Sequence, residues 1–265
     1  MALNPIPDMT LLVPTLTIQL LIGIMLIYKT INSKIRNLLY LALFNLTVGI
    51  SFLLSRLMVY IESELWAPIF QVLTLTSQLL IVTFIQKTFY KQKKSPYKIV
   101  VPLLIGNFFF AFIMQFFTRT LTQLTAIALF IYAISYSIDH AISGYWFAYI
   151  SLKQYSKYRN MNIEPWIKIR YLLSGIVALA YSNLGMPLFL LVIGRFNPIY
   201  LRFFYDLSFL FRAILASSFS LGSLIAWTMP KSFKKFFNKR HFPIEDRDVT
   251  EEEIMKEIDH LYGSK

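Results

Sequence analysis

The chain has 265 residues, of which 56% are hydrophobic and only 15% are charged. Soluble domains carry about 25% charged residues. This composition therefore excludes an ordinary water-soluble domain and indicates a polytopic membrane protein. The sequence contains no cysteine, which excludes disulfides, thiolate metal sites and cysteine nucleophiles.

The formal net charge of +12 raises the question of nucleic-acid binding, because basic chains often contact phosphate backbones. The Lys and Arg residues, however, fall in alternating blocks between apolar runs, which is typical of membrane orientation signals. We therefore predict a multi-pass protein of the cell membrane, with the lipid bilayer and no nucleic acid among its partners.

Seven apolar runs approach the length of about 20 residues that spans the hydrocarbon core of a bilayer. They predict an all-α fold in which residues 1–229 form a transmembrane domain of seven helices. The predicted helices cover residues 10–28, 38–60, 66–87, 99–118, 122–152, 169–194 and 203–229.

The basic residues are distributed unequally between the two sides of this predicted domain. Eighteen of them follow the first, third, fifth and seventh helices. Short loops rich in Lys and Arg stay in the cytoplasm, so we predict an outside N-terminus and a cytoplasmic C-terminus. The opposite side has only four basic residues: Arg56, Arg119, Arg195 and Arg202.

Two short segments follow the seventh helix. Residues 230–241 contain KSFKKFFNK, which predicts an amphipathic basic helix in the plane of the inner membrane surface, with Phe233, Phe236 and Phe237 on one face. The alternative is a basic anchor with no further role. Eight of the fourteen acidic residues lie in residues 242–265, predicted to be a cytoplasmic tail with a short helix.

The motifs expected of an enzyme do not occur. A catalytic zinc site needs three protein ligands, and His140 is the one histidine within the predicted membrane domain. The connections contain no Gly-rich phosphate loop, nucleophile elbow or paired-carboxylate pattern. We therefore predict no enzymatic activity, no cofactor and no metal.

Predicted helix five carries an unusual number of polar side chains for a membrane helix. His140 is rotated by about 100° from Asp139, so we expect the two side chains to have separate partners. A central Asp costs about 2.5 to 3.5 kcal/mol on insertion scales, which favours a functional site over a merely structural pair. Asp139 shares one face of the helix with five other polar or aromatic residues, because they follow steps of three and four: Tyr132, Ser135, Tyr136, Asp139, Ser143 and Trp146.

Polar residues on other helices are candidates to complete this site. Gln78 and Asn183 match Asp139 in depth, whereas Arg212 lies about 9 Å further outward and would have to turn inward to pair with it. Three further amides are interpreted as structural: Gln19, Asn45 and Asn107. The predicted ligand- or proton-binding site comprises Asp139, His140, Tyr132, Tyr136, Ser143, Trp146, Gln78, Asn183 and Arg212.

Predicted helix six contains Asn-Leu-Gly-Met-Pro at residues 183–187. Pro187 removes a backbone hydrogen bond and Gly185 adds conformational freedom. Together they predict a kink near the depth of the polar site, either as a hinge or as a static bend.

Two segments carry a resemblance to a known class of protein. SELWAPIFQVL at 63–73 and IKIRYLLSG at 167–175 are similar to the seven-helix sensor region that precedes the kinase in some membrane histidine kinases. The resemblance implies a receptor or sensor. Because no kinase follows the seventh helix, it also implies output to a separate cytoplasmic protein.

The sequence therefore favours a seven-helix receptor or sensor that binds an unknown small ligand or proton. Because histidine changes charge near neutral pH, the Asp139–His140 pair suits the sensing of pH or of a polar ligand. The alternative is a small proton- or cation-coupled transporter that uses Asp139 as its carrier. A membrane scaffold or assembly factor is the third possibility.

Overall fold

A computed structural model of the chain describes residues 9–32, 35–60, 66–90, 95–119, 125–161, 163–196 and 200–237. These ranges contain helices and no strand, which confirms the all-helical class. A short π-helical turn, Gln86–Tyr90, extends α3. The α-helices are α1 (Met9–Asn32), α2 (Leu38–Tyr60), α3 (Trp66–Ile85), α4 (Tyr97–Arg119), α5 (Thr125–Tyr158), α6 (Pro165–Ser182), α7 (Leu188–Phe196), α8 (Leu201–Thr228) and α9 (Lys231–Phe237).

Within the described residues, four helices are long and apolar enough to cross a membrane, and Leu38–Leu54 is a shorter apolar segment. The long helix α5 does not join them, because its polar stripe lowers its hydropathy. The membrane character of the chain is thus supported by length and composition, while the count of seven spans stays a prediction. The four candidate spans are Val13–Asn32, Gln71–Tyr90, Tyr97–Met114 and Phe203–Thr228.

The helices pack in chain order, and α8 returns to contact α1, which closes the ring. Contacts pair Gln78 with His140 and Tyr90 with Trp146, so α3 and α5 run parallel. Contacts between Arg212 and Tyr136, and between Phe219 and Phe147, show the same for α8 and α5. The end of the bundle at which these three helices begin is called the upper end below.

The lower half of the bundle interior contains five aromatic residues that are each at most 1% exposed. Phe84 is the centre, with ring centroids 5.1 Å from Trp227 and 5.7 Å from Phe147. Edge-to-face contacts of this kind add to the stabilisation that burial provides. The aromatic layer consists of Phe44, Phe84, Phe147, Phe219 and Trp227.

The predicted sixth helix, residues 169–194, is interrupted completely. Between α6 and α7 the backbone makes successive tight turns, with the Asn183 N–H donating to the Ala180 carbonyl at 3.2 Å. Pro187 lacks an N–H and cannot continue the helical ladder. The kink expected from Gly185 and Pro187 is therefore a break of five residues, 183–187.

Two glycines allow the α5 backbone to lie directly against the break itself and against the end of α6 before it. A Cβ on Gly185 would lie 2.4 Å from the Ser137 Cα, and one on Gly144 would lie 2.6 Å from the Ser182 Cα. Backbone atoms cannot move aside as a flexible side chain can. Small residues at such positions are how membrane helices approach closely.

The lower end of α8 leads into the short helix α9. Met229 adopts a left-handed conformation with φ 36°, and its N–H donates to the Ile225 carbonyl. The following Pro230 redirects the chain, and α9 then packs against α6. Phe237 joins the cluster around Trp166 and Met229.

Helix α9 differs in part from the amphipathic helix expected over 230–241. Phe233 and Phe236 are 40% and 64% exposed, as a lipid-facing surface requires. Lys234 is instead buried, with its Nζ 4.7 Å from the centre of the Trp166 ring, because that ring attracts a cation to its face. The Arg170 guanidinium lies 4.8 Å from the same ring. The predicted acidic tail, 242–265, lies outside the described residues.

We expect alanine at Gly144 or Gly185 to destabilise the bundle, whereas alanine at Gly106 should not. A Cβ at either of the first two sites meets backbone, and overpacking costs about 1 to 3 kcal/mol. A Cβ on Gly106 would meet nothing within 4 Å, so there alanine should add about 0.5 to 1 kcal/mol of helix propensity. Thermal unfolding of the three variants in detergent checks this, and equal melting temperatures would contradict the close approach.

Candidate functional site

The centre of the candidate site is His140 on α5, which is 2% exposed. Its Nδ1 lies 2.8 Å from the Tyr136 carbonyl, which can only accept, so Nδ1 carries the proton. Nε2 then accepts from the Gln78 amide nitrogen at 2.9 Å. The amide oxygen of Gln78 accepts in turn from the Ser143 hydroxyl at 2.5 Å. Gln78, His140 and Ser143 are called the central network below.

The central network has one consistent direction of hydrogen bonding. Both ring nitrogens of His140 are occupied while the ring is neutral. A second ring proton would place a donor against the NH2 group of Gln78, and the amide would have to rotate to present its oxygen. The rotated NH2 group would then face the Ser143 hydroxyl. Charging His140 therefore requires the whole network to reverse.

Asp139 faces a different neighbour from His140, as their rotation around the helix requires. Its Oδ1 accepts from the Asn107 side-chain amide on α4 at 2.8 Å. The same NH2 group donates to the Ser135 carbonyl at 2.8 Å, and the Ser135 hydroxyl lies 3.3 Å from the Asn107 carbonyl. Asp139 is 6% exposed.

Asn107 was interpreted as an amide that hydrogen-bonds a neighbouring helix, and it does so with α5, but its pairing with Asp139 was not predicted. Its depth near the centre of helix four already matched that of Asp139 on the next helix. The sequence did not show which face of α4 points inward. This helix lies at the periphery and is apolar on most of its surface, so its pattern marks no inner face.

Arg212 on α8 pairs with a tyrosine and not with Asp139. Its Nη2 donates to the Tyr136 hydroxyl at 3.2 Å, and its Cζ lies 5.2 Å from the Tyr136 ring and 5.6 Å from the Phe52 ring. The Tyr136 ring also stacks on His140, with centroids 4.2 Å apart. Tyr136 therefore connects the guanidinium to the central network.

Tyr132 lies one turn above Tyr136 on α5, and the two ring centroids are 5.8 Å apart. Tyr132 and Tyr136, both predicted site residues, therefore lie together on the upper side of the network. It packs beside Leu188 and Val192 of α7, directly after the helix break.

Two predicted site residues do not join this group. Asn183 is exposed, and its side-chain amide donates to the Leu179 carbonyl of its own helix at 2.8 Å. Trp146 donates from Nε1 to the Tyr90 hydroxyl at 3.2 Å. It lies about 15 Å below Tyr136 along α5. Asn183 was predicted from its depth, which matches that of Asp139. The end of α6, however, turns its side chain outward.

Tyr181 of α6 was not predicted, although it contacts the centre of the site. It is 1% exposed, with its ring 5.1 Å from His140 and 4.6 Å from Phe219. Tyr181 therefore links the central network to the aromatic layer. No feature of the sequence distinguished it from the other tyrosines of the chain.

Within the described ranges, no three His, Asp or Glu side chains come together as metal ligands. The expectation that the protein uses no metal or cofactor stays a prediction. The arrangement offers hydrogen-bond donors and acceptors, one carboxyl group and one guanidinium, which are suited to binding a polar ligand or a proton.

Comparison of the chain with protein-family models, curated proteins and solved structures finds no match. The role of the site is therefore argued from its own chemistry.

We expect neutral His140 to carry its proton on Nδ1, because the Tyr136 carbonyl accepts there and the Gln78 amide donates to Nε2. Nitrogen-15 NMR of histidine-labelled protein distinguishes this tautomer, and His140→Gln identifies the signal against those of the two other histidines. Replacement of Gln78 by Leu should alter the Nε2 signal. A proton on Nε2 of the unmodified protein at neutral pH would contradict the assigned network.

Proposed function

We propose that the protein is a seven-helix membrane receptor or sensor, with its N-terminus outside and its C-terminus in the cytoplasm. In this proposal a ligand or proton acts on the polar groups around α5, and the signal passes to a separate cytoplasmic protein. One observation carries the proposal: the central network lies beside an interrupted helix and above a packed aromatic layer.

The contacts of α5 suggest how a change at the network would spread. Gly144 and Gly185 hold α5 against the break, so a shift of α5 must be accommodated by α6 or α7. Tyr181 contacts His140 on one side and Phe219 of the aromatic layer on the other. Packed interiors respond to small shifts by repacking as units and not by smooth deformation.

The aromatic layer has its own connection to the lower surface. The Arg170 guanidinium lies 5.5 Å from the Trp227 ring and 4.8 Å from the Trp166 ring, which also contacts Lys234 of α9. In the proposed orientation α9 lies at the cytoplasmic surface, where an output protein would bind. Contiguous contacts amount to coupling only if both ends change together. A change at Asp139 should therefore also move α9.

A transporter is the second candidate, favoured by the helix break beside an intramembrane acid. Discontinuous helices near the bilayer centre and buried carboxyl groups both occur in transporters. The aromatic layer below the network argues for the receptor, because it fills the route that a solute would take. Uptake by reconstituted vesicles that Asp139→Asn abolishes would support the transporter instead.

We expect residues at the lower end to be cytoplasmic. The chain has no cysteine, so a single introduced cysteine reports its own position. In whole cells, an impermeant maleimide should label Thr120→Cys, in the connection before α5, without permeabilisation. It should label Lys157→Cys, exposed at the lower end of α5, only after permeabilisation.

The cysteine-free parent protein is the control for this labelling. The opposite pattern would reverse the proposed orientation. Labelling of both positions in intact cells would contradict the prediction that α5 crosses the membrane.

We expect Asp139→Asn to change the separation of α5 and α9. Asparagine keeps an oxygen to accept from Asn107 but cannot carry the negative charge. Spin labels at Ser156→Cys and Ser232→Cys, both exposed at the lower end, report the distance between the two helices in nanodiscs. The distance distribution of the Asp139→Asn variant should differ from that of the parent.

Thr76→Ala is the control, since this hydroxyl is exposed on α3 and donates to the Val72 carbonyl of its own helix. It should leave the distribution unchanged. If Asp139→Asn folds, melts and gives the same distances as the parent, the site is structural and the receptor proposal fails.

A further inference from the structure

Some side chains in the upper half of the bundle hold buried polar atoms without hydrogen-bond partners in the described part of the chain, among them Gln71, Ser208 and Arg212. Both amide atoms of Gln71 lack one, as do the Ser208 hydroxyl and Nε of Arg212. Gln71 is 4% exposed and Ser208 is 2% exposed. A polar atom that is buried and unpaired is costly, so such a group calls for a ligand or an ordered water molecule.

Gln71, Ser208 and Arg212 lie on helix faces that are turned towards α5 at similar heights. Gln71 lies two turns above Gln78 on the same face of α3, and Gln78 points at His140. Ser208 lies one turn above Arg212 on α8, and Arg212 points at Tyr136. We take Gln78 as level with His140, and Arg212 as level with Tyr136. A rise of about 1.5 Å per residue then places Gln71 and Ser208 within about 2 Å of the same height, and Arg212 about 6 Å below Ser208.

The charge of Arg212 decides the kind of ligand. A guanidinium stays protonated in proteins. Among the described residues its contacts are the Tyr136 hydroxyl and the faces of the Tyr136 and Phe52 rings, and none is a carboxylate. An anion would supply the missing charge and the missing acceptor for Nε.

We propose that Gln71, Ser208 and Arg212 bind a small organic acid, with its carboxylate on Arg212 and Ser208. This inference rests on the proposed function. It adds the chemical class of the ligand and the outer side of the membrane as its route of access. The planar guanidinium matches the two oxygens of a carboxylate, and the Ser208 hydroxyl adds a donor. The Gln71 amide would bind a polar group on the body of the ligand.

The surroundings favour a monocarboxylate over a phosphate. Phe52 is 4% exposed and Tyr136 is 8% exposed, so their rings form a buried apolar wall beside the guanidinium. A carboxylate with an apolar or aromatic body fits that wall. A phosphate dianion would bring a second charge that Arg212 alone does not balance.

The test measures thermal stability of the full chain in nanodiscs at constant sodium chloride. The probes are sodium acetate, lactate and benzoate, each compared with its neutral amide. We expect at least one carboxylate to raise the melting temperature with increasing concentration, while its amide does not. Arg212→Gln should weaken that binding by about tenfold to hundredfold, the range for a hydrogen bond to a charged group.

Ser208→Ala should weaken binding less, and Ser218→Ala, at an exposed site on the same helix, should leave it unchanged. If Arg212→Gln does not fold, Ser208→Ala and Gln71→Leu give the same test. The inference is overturned if no carboxylate stabilises more than its amide, since water would then fill the site. It is also overturned if the folded variants bind the acid as the parent does.

The spin-label distance between α5 and α9 separates this inference from the receptor proposal. A carboxylate that binds through Arg212 without changing that distance would support the anion site and contradict signalling. A distance that responds to Asp139→Asn in a protein that binds none of the carboxylates would contradict the anion site alone.

Discussion

A polar side chain inside an apolar bundle has no bulk water to bind, so it must find its partner on its own helix or on a neighbouring one. Three partnerships between helices follow from this constraint. Gln78 joins α3 to α5 through His140, Asn107 joins α4 to α5 through Asp139, and Arg212 joins α8 to α5 through Tyr136. Helix α5 is therefore the element to which α3, α4 and α8 are joined by polar contacts.

The same constraint separates Asp139 from His140. Neighbours in sequence point in directions about 100° apart on a helix, so one residue reaches the periphery while the other reaches the interior. The carboxyl group bonds a peripheral helix, and the imidazole is enclosed by Gln78, Tyr136 and Tyr181. The two groups are best understood as members of different contacts and not as one acid–base pair.

The break between α6 and α7 gives this arrangement a place where it can change. A continuous helix would transmit a push along its whole length, whereas a break of tight turns lets the two halves move separately. The close backbone contacts at Gly144 and Gly185 place α5 against the end of α6 and the break, and α5 also packs against α7. Above the network, Gln71, Ser208 and Arg212 hold buried polar atoms without partners among the described residues, and below it the buried rings of the aromatic layer occupy the interior. A polar ligand would therefore reach the site from the upper side.

The sequence by itself determined the helical class, most helix positions, the polar stripe of α5 and the break at Gly185 and Pro187. Each of these follows from local features: apolar run length, a spacing of three and four residues, and the missing N–H of proline. The tertiary structure alone decided that Asn107 and not Arg212 contacts Asp139, that Asn183 faces outward, and that Lys234 lies on the Trp166 ring. Periodicity tells on which face of its own helix a residue lies and, with helix ends, how deep it is. Which neighbour meets that face depends on how each helix is rotated in the packed bundle, and that rotation is set by contacts between residues far apart in the chain.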